Sequence, residues 1–498
     1  MTCCASQPSA IPSSKAPVAD PRGFLEVKRR LGPLRAPLER VHDYRDVHEH
    51  MPEGELRDQA RRCMSCGVPF CHRGCPLGNL IPDWNDLVHR GHWQEANERL
   101  HSTNSFPELT GKLCPAPCEE ACVLAINDDA VTIKEIEWSI VERAWEEGWI
   151  VPQPAVTRTG RSVGVIGSGP AGLAAAQQLA RAGHAVTVYE RDERAGGLLR
   201  FGIPDFKLEK HLIDRRVEQL AAEGVEFAHG VDVGSDVPLD ELRARHDAIV
   251  LATGAQRHRA LTLPGAELAG VHLAMDYLAQ QNRRVAGLPV HNGLSARGLR
   301  VAILGGGDTS ADCLGNVLRE GCAAVVEIAH GPTPPTQRSP QKTWPDWPFL
   351  MRTYPAHEEG GERVWQLATH ALEGDAGRVQ RLRARRVEFP GFAETGIRRP
   401  VEADEVVLDV DLVLVAIGFT GVEADDALYG QLGFDLGPRS TVPVDGSFAT
   451  ASDGLYAAGD CVRGADLIVQ AIADGREVAR SVDLALQGAS ALPSRVAV

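Results

Sequence analysis

"SVGVIGSGPAGLAAAQQLARAGHAVTVYE", Ser162 to Glu190, decides the fold. A short apolar strand, "VGVI", runs into Gly167, Gly169 and Gly172, and "AGLAAAQQLARAG" then reads as a helix ending at Gly183. The spacing G-x-G-x-x-G has a mechanical meaning. The first glycine turns the chain, the second lets the backbone approach a pyrophosphate, and the third lets helix pack on strand. The anion would sit in a cradle of Gly167, Ser168, Gly169, Pro170, Ala171 and Gly172, where free N–H groups and the helix dipole favour negative charge. Glu190 closes the next strand, "AVTVY", near the roughly 20-residue spacing at which an acid meets a ribose hydroxyl. Strand, loop, helix, second strand and terminal acid in register predict a dinucleotide-binding α/β unit.

A second copy of this pattern runs from Leu299 to His330, "LRVAILGGGDTSADCLGNVLREGCAAVVEIAH". It carries Gly305 and Gly307, then Asp308 and Thr309, then Ser310 where the first unit has its third glycine. Serine is still small enough for close packing. His330 stands near the end of the second strand in place of a carboxylate, with Glu327 inside the strand. An acid there would repel a 2′-phosphate, so its absence leans toward NADPH, while NADH stays open should Glu327 be the terminal acid. Two such units predict a fold of two Rossmann-like domains and two dinucleotide sites. "DAIVLATGA", with Thr253 and Gly254, and "DLVLVAIGF" each combine an acid, an apolar strand and a glycine turn, which suits crossings between the domains. "GLYAAGDCVRG" places Gly459 and Asp460 after a strand, ahead of an amphipathic helix.

The rest of the composition narrows the class. With 498 residues, 43% hydrophobic and 24% charged, the chain supports two or three domains with large cores. A formal net charge of −15 argues against nucleic-acid binding, which relies on clustered Lys and Arg. No apolar run is long enough for a membrane span, and the opening "MTCCASQPSAIPSSKAPVADPRG" lacks the layout of a secretory signal, so a cytoplasmic address is expected. Residues 1–22, rich in Ser, Pro and Ala, read as a flexible lead-in, and its Cys3 and Cys4 receive no role.

Residues 23–155 read as helices interrupted by Gly, Pro and Cys loops, for example "DWNDLVHRGHWQEANERLH" and "TIKEIEWSIVERAWEEGW". Of 12 cysteines, seven lie in this region. Cys63, Cys66, Cys71 and Cys75 are spaced C-x2-C-x4-C-x3-C-P; Cys114, Cys118 and Cys122 follow in "LCPAPCEEACVLAIN". In a reducing compartment such a group binds metal more readily than it forms disulfides. Four thiolates hold either one zinc or one cubane cluster, and spacing alone does not decide. The first run differs from a ferredoxin run by one gap. In ferredoxins the fourth cysteine serves the other cluster. By that logic Cys63, Cys66 and Cys71 need one outside ligand, Cys75 leaves with a second cluster, and seven thiols serve eight corners. Pro115 and Pro117 forbid one continuous helix over 114–122, yet Cys118 and Cys122 can share a helical face.

Together these stretches resemble the small (β) subunit family of glutamate synthase. The resemblance spans about Pro21 to Ala485 and rests on "CMSCGVPFCHRGCPLGNLIPDWNDLV", "GKLCPAPCEEACVLAINDDAVTIKEIE", "VIGSGPAGLAAA", "AGGLLRFGIPDFKLEK", "GGGDTSADC", "AHEEGGER" and "GLYAAGDCVRG". The same arrangement is similar to the N-terminal region of dihydropyrimidine dehydrogenase and to flavin-based ferredoxin:NADP oxidoreductases. The resemblance implies a first [4Fe-4S] cluster on Cys63, Cys66, Cys71 and Cys122. A second is implied on Cys75, Cys114, Cys118 and a non-cysteine ligand at Glu137, with Glu135 its competitor. It places FAD on the first glycine unit, with Glu190 on the adenosine ribose, Asp460 near the ribitol, and Gly197, Leu198, Thr253, Gly254 and Gly459 around it. NADPH goes to Gly305, Gly307, Asp308, Thr309, Ser310 and His330. Relatives carry paired arginines where this chain has His330-Gly331, which keeps NADPH versus NADH open.

The domain division that follows is a helical iron-sulfur domain over 23–155, an FAD domain over 156–285 and 441–498, and an NADPH domain over 286–440. The expected activity is electron input: NADPH reduces FAD, and two [4Fe-4S] clusters relay single electrons to a large subunit that makes glutamate from glutamine and 2-oxoglutarate. No acid–base pair is needed for hydride transfer between stacked rings. Two rivals are a stand-alone NAD(P)H:acceptor oxidoreductase built on the same module, and a zinc-stabilised binding module with vestigial nucleotide loops.

Overall fold

The computed structural model describes residues 22–290, 293–338, 343–392, 396, 398 and 400–495. The expected lead-in, with Cys3 and Cys4, lies outside the described residues except for Arg22.

The cysteine-bearing region is helical: α1 (Glu53–Arg61), α2 (Ile81–Arg90), α3 (Trp93–His101), α4 (Pro107–Leu113) and α5 (Ile133–Glu146). The periodic stretch 83–101 is two helices. Gly91, at φ 82°, caps the first in the left-handed conformation and turns the chain into the second. Residues 151–160 form an irregular linker.

The first α/β unit follows: β1 (Ser162–Ile166), α6 (Pro170–Arg181), β2 (Ala185–Glu190), α7 (His211–Ala222), β3 (Val225–His229) and β4 (Ala248–Leu251). The second contains β5 (Val271–Leu273), α8 (Ala274–Val285), β6 (Arg300–Leu304), α9 (Asp308–Glu320), β7 (Ala324–Ala329) and β8 (Glu362–Trp365). An antiparallel sheet of β9 (Leu367–Asp375), β10 (Arg378–Glu388) and β11 (Val401–Asp409) is inserted before β12 (Leu412–Val415). The chain then returns to the first unit through β13 (Leu455–Ala457) and α10 (Ile468–Gln487).

Both large sheets are wholly parallel, in the orders β13-β4-β1-β2-β3 and β5-β12-β6-β7-β8. Their central strands are short apolar runs, "AIVL" in β4 and "LVLV" in β12, buried at every position because layers cover both faces. The second sheet opens at Val271, ahead of residue 286. Beyond β4 and β12 the chain crosses between units, and the crossings pair antiparallel at Arg257–His258 and Phe419–Gly421, as the two strand-and-glycine stretches implied.

The helical region does not stand apart. One buried apolar cluster runs from Trp84 and Ile136 through Ala174 and Ala175 of α6 to Val165 of β1 and Val478 of α10. Across the same boundary Arg216 of α7 donates two hydrogen bonds to Glu108 of α4, at 2.7 and 2.6 Å, both side chains fully buried. Among the described residues no helix is long and apolar enough to cross a membrane.

Candidate functional site

The first glycine loop does what its spacing requires. Gly167 sits at φ 101°, and a Cβ there would lie 2.5 Å from the Ala252 carbonyl oxygen. A Cβ on Gly172 would lie 2.0 Å from the carbonyl oxygen of Gly167, so this residue fixes how closely α6 approaches the loop. Gly169 is different: nothing stands within 4 Å of its Cβ position. The open side of the loop is therefore the one that faces a ligand, over a helix N-terminus that no side chain caps. At the end of β2, buried Glu190 accepts from the backbone N–H groups of Ser168 (3.1 Å) and Asp192 (2.9 Å) and from the Ser168 hydroxyl. The loop and the strand end are one rigid piece.

The loop and the strand end border a cavity of about 750 Å3. Of the positions read from sequence, Gly167 to Ala171, Glu190, Gly197, Leu198, Thr253, Gly254, Asp460, Asp308 and Thr309 form its wall. Gly172, Gly459, Gly305, Gly307, Ser310 and His330 do not. Gly459 and Gly305 serve backbone geometry, with φ of 76° and 152°. Gly307 repeats Gly169, with open space at its Cβ position, while Ser310 Oγ accepts from its N–H at 2.9 Å and caps α9. His330 follows the end of β7, exposed, with its ring edge on Phe389. Glu327 lies within β7, fully buried, 2.9 Å from His357 Nε2, and is not the residue that ends the strand.

Asp460 opens a short helical turn after β13, with Gly459 before it. Burial, aided by the nearby carboxylates of Asp466 and Asp474, pushes its pKa up to about 7. The cavity wall also contains residues that motif reading missed. Lys207, within "AGGLLRFGIPDFKLEK", donates to Asp312 of α9 at 2.7 Å and so joins the two nucleotide units. Burial works against its charge, but Asp312 and Asp308 more than compensate and hold its pKa above the ordinary lysine value. Leu113 and Pro115, which flank Cys114, close the cavity from the helical side. Only the quoted family stretches pointed to these positions, and they gave no contact.

The thiols fall into two groups. Cys63, Cys66, Cys71 and Cys122 line one small cavity beneath Phe70, whose ring packs 4.6 Å from Trp344; Trp344 Nε1 donates to the Cys122 carbonyl at 3.1 Å. Cys75, Cys114 and Cys118 are neighbours in the second, and each feels the carboxylate of Glu137. Glu137, buried, accepts from Asn104 at 2.9 Å and from the Thr110 hydroxyl; Glu135 instead abuts Gly32. The expectation that Cys118 and Cys122 share a helical face fails. The helix over Pro117–Glu120 is a single turn, and Cys122 follows in extended backbone that carries it to the other group. Burial pushes the Cys63 and Cys75 thiols up to about 11 and raises Cys71, Cys114 and Cys118 further. Among the described residues no three His, Cys, Asp or Glu side chains converge tightly enough for a single metal ion. Soft donors standing around the edges of a space suit the corners of a cube.

Comparison with known proteins gives two family matches. Residues 40–149 match the family described as dihydropyrimidine dehydrogenase domain II, 4Fe-4S cluster, and residues 161–342 with 377–475 match the pyridine nucleotide-disulphide oxidoreductase family. The chain is 52% identical over 485 residues to the glutamate synthase [NADPH] small chain of Mycobacterium tuberculosis, covering 96% of this chain and 98% of that one. It is 42% identical to the Bacillus subtilis glutamate synthase [NADPH] small chain, covering 95% and 99%. It is also 42% identical to the glutamate synthase [NADH] of Schizosaccharomyces pombe, covering 96% of this chain and 23% of that protein. Among solved structures, FprA of M. tuberculosis in complex with NADPH superposes with a TM-score of 0.52 at 21% identity, over 66% of this chain and 84% of that one. That likeness establishes the two-domain fold.

Proposed function

Because this chain belongs to the glutamate synthase small-chain family, we propose that it takes reducing equivalents from NADPH and passes them singly to a large subunit that forms glutamate from glutamine and 2-oxoglutarate. Its activity is that of an NADPH-dependent oxidoreductase with a flavin and nicotinamide fold and a 4Fe-4S domain. The observation that carries the route is the shared cavity: both nucleotide units and the flanks of Cys114 meet on it. Hydride acceptance belongs to bound FAD and single-electron transfer to the clusters.

The residues supply position and environment. Gly167 to Gly172 would hold the FAD pyrophosphate, Glu190 the adenosine ribose and Asp460 the ribitol, with Gly197, Leu198, Thr253, Gly254 and Gly459 shaping the remainder. Gly305, Gly307, Asp308, Thr309, Ser310 and His330 would hold NADPH. Cys63, Cys66, Cys71 and Cys122 would ligate one [4Fe-4S] cluster, and Cys75, Cys114, Cys118 and Glu137 a second. The raised thiols mean that cluster loading displaces protons.

Metal analysis of the anaerobically purified protein tests the ligand sets. About eight irons per chain are expected, since each cubane holds four. Cys75→Ala should halve the iron while NADPH still bleaches the flavin; loss of both together would break the partition. Reconstitution with the large subunit tests the destination. NADPH oxidation that requires both glutamine and 2-oxoglutarate supports it, whereas flavin reduction indifferent to both would leave a stand-alone NAD(P)H:acceptor reductase.

A further inference from the structure

The second unit lacks the acid of the first at an equivalent point. Ile166 pairs with Tyr189 in the first sheet and Leu304 with Ile328 in the second, so Ala329 occupies the register position of Glu190. A methyl group thus stands where a ribose-binding carboxylate would be, and the next two residues, His330 and Gly331, bring no arginine or lysine. A 2′-phosphate carries up to two negative charges and calls for a fixed cation at this strand end.

Two nearby arginines are already engaged, one of them on the glycine loop itself, where Arg363 Nη2 donates to the Gly306 carbonyl at 3.4 Å. Arg363 lies 3.5 Å from Glu327 and donates to the Arg352 carbonyl at 2.8 Å, and Arg352 lies 3.6 Å from Glu120. Arg398 differs. It comes from the segment between β10 and β11, its guanidinium lies over the Phe349 ring at 5.3 Å, and its Nη1 is 3.8 Å from the point that a Cβ on Gly331 would occupy. Among the described residues no carboxylate pairs with it.

We propose that Arg398 is the residue by which this chain reads the 2′-phosphate of NADPH, reaching in from the inserted sheet to fill the space that a side chain at 331 would take. The proposal rests on reading Gly305 to Ser310 as the nicotinamide dinucleotide loop. The cation–π contact with Phe349 would hold the guanidinium in place while its N–H groups stay available to the phosphate. Gly331 brings no side chain of its own to that space.

The test uses the cofactor-loaded protein, with rapid-mixing flavin reduction by NADPH and by NADH, and calorimetric binding of adenosine 2′,5′-bisphosphate against 5′-AMP. Arg398→Ala should weaken NADPH and the bisphosphate by about 10- to 100-fold, the loss of a charged hydrogen bond, and leave NADH and 5′-AMP unchanged. Adding Gly331→Arg to that variant should restore part of the NADPH preference. Equal loss for both nucleotides, no loss, or a double variant as weak as Arg398→Ala would overturn the assignment. A wild-type flavin reduced by neither nucleotide would instead sink the reading of the loop on which the proposal stands.

Discussion

Lys207 and Asp312 form a charged contact between the two nucleotide units at the wall of their common cavity. Lys207→Met leaves Asp312, itself buried, without its cation. Breaking one side of such a pair costs about 3–5 kcal/mol while the remaining group stays ionised. Burial already raises the Asp312 pKa, so the orphaned acid takes up a proton more readily. The destabilisation should therefore be greater at pH 8 than at pH 6, read from urea unfolding of the cofactor-free protein; a pH-independent loss would show that packing, not charge, is what the lysine supplies. Asp460 acts in the same pH range. In the unfolded chain it has released its proton well below pH 6, whereas the folded protein keeps it until about 7. The folded state thus gains from proton binding, fully at low pH, and that gain is lost as pH rises through 7. Asp460→Asn should flatten this part of the stability profile, while Glu135 and Glu137, also pushed up to about 7 by burial, keep their share.

At the scale of the elements, the loop from β1 to α6 separates folding from binding within four residues. Gly169→Ala meets no neighbour within 4 Å, at a φ of −67° that alanine accepts. The cofactor-free stability should change by no more than about 0.5 kcal/mol, as for an unobstructed surface substitution, while FAD content falls. Gly172→Ala drives a methyl group into the carbonyl of Gly167 and should cost about 1–3 kcal/mol before any cofactor is added. Equilibrium unfolding and flavin absorbance read the two effects apart, and identical profiles for the two variants would contradict the geometry. This loop was legible because everything it needs lies within one strand, one turn and one helix. The separation of Cys75 from Cys63, Cys66 and Cys71 was legible from the run itself, since in two-cluster ferredoxins the fourth cysteine leaves the first three. The path after Cys118 was not, because helical periodicity says nothing about a helix that stops after one turn.

Over the whole molecule, the contacts that hold the domains together join residues far apart in sequence, which is why motif and period left them invisible. "AHEEGGER" stood out as a family stretch without revealing its task. In the structure Glu359, fully buried, accepts from Arg40 Nε at 2.8 Å and from Arg319 Nη2 at 3.1 Å, with both arginine side chains also fully buried. Arg319 of α9 further donates to the Asp43 carbonyl at 2.8 Å and lies 3.9 Å over the ring of Phe206, whose own carbonyl accepts from Val47 N–H at 3.0 Å. One carboxylate therefore anchors the N-terminal segment, the second nucleotide unit and, through Arg319, the loop that carries Lys207. Glu359→Ala leaves buried Arg319 without a carboxylate and Arg40 with Glu358 alone, and a loss of about 3–5 kcal/mol is expected. Glu359→Gln retains an acceptor and should lose less. If this junction also sets how the second unit meets the first, Glu359→Gln will slow flavin reduction by NADPH under conditions where it remains fully folded. Unaltered reduction in that folded variant would confine the junction to stability and leave the orientation of the two units to Lys207 and Asp312.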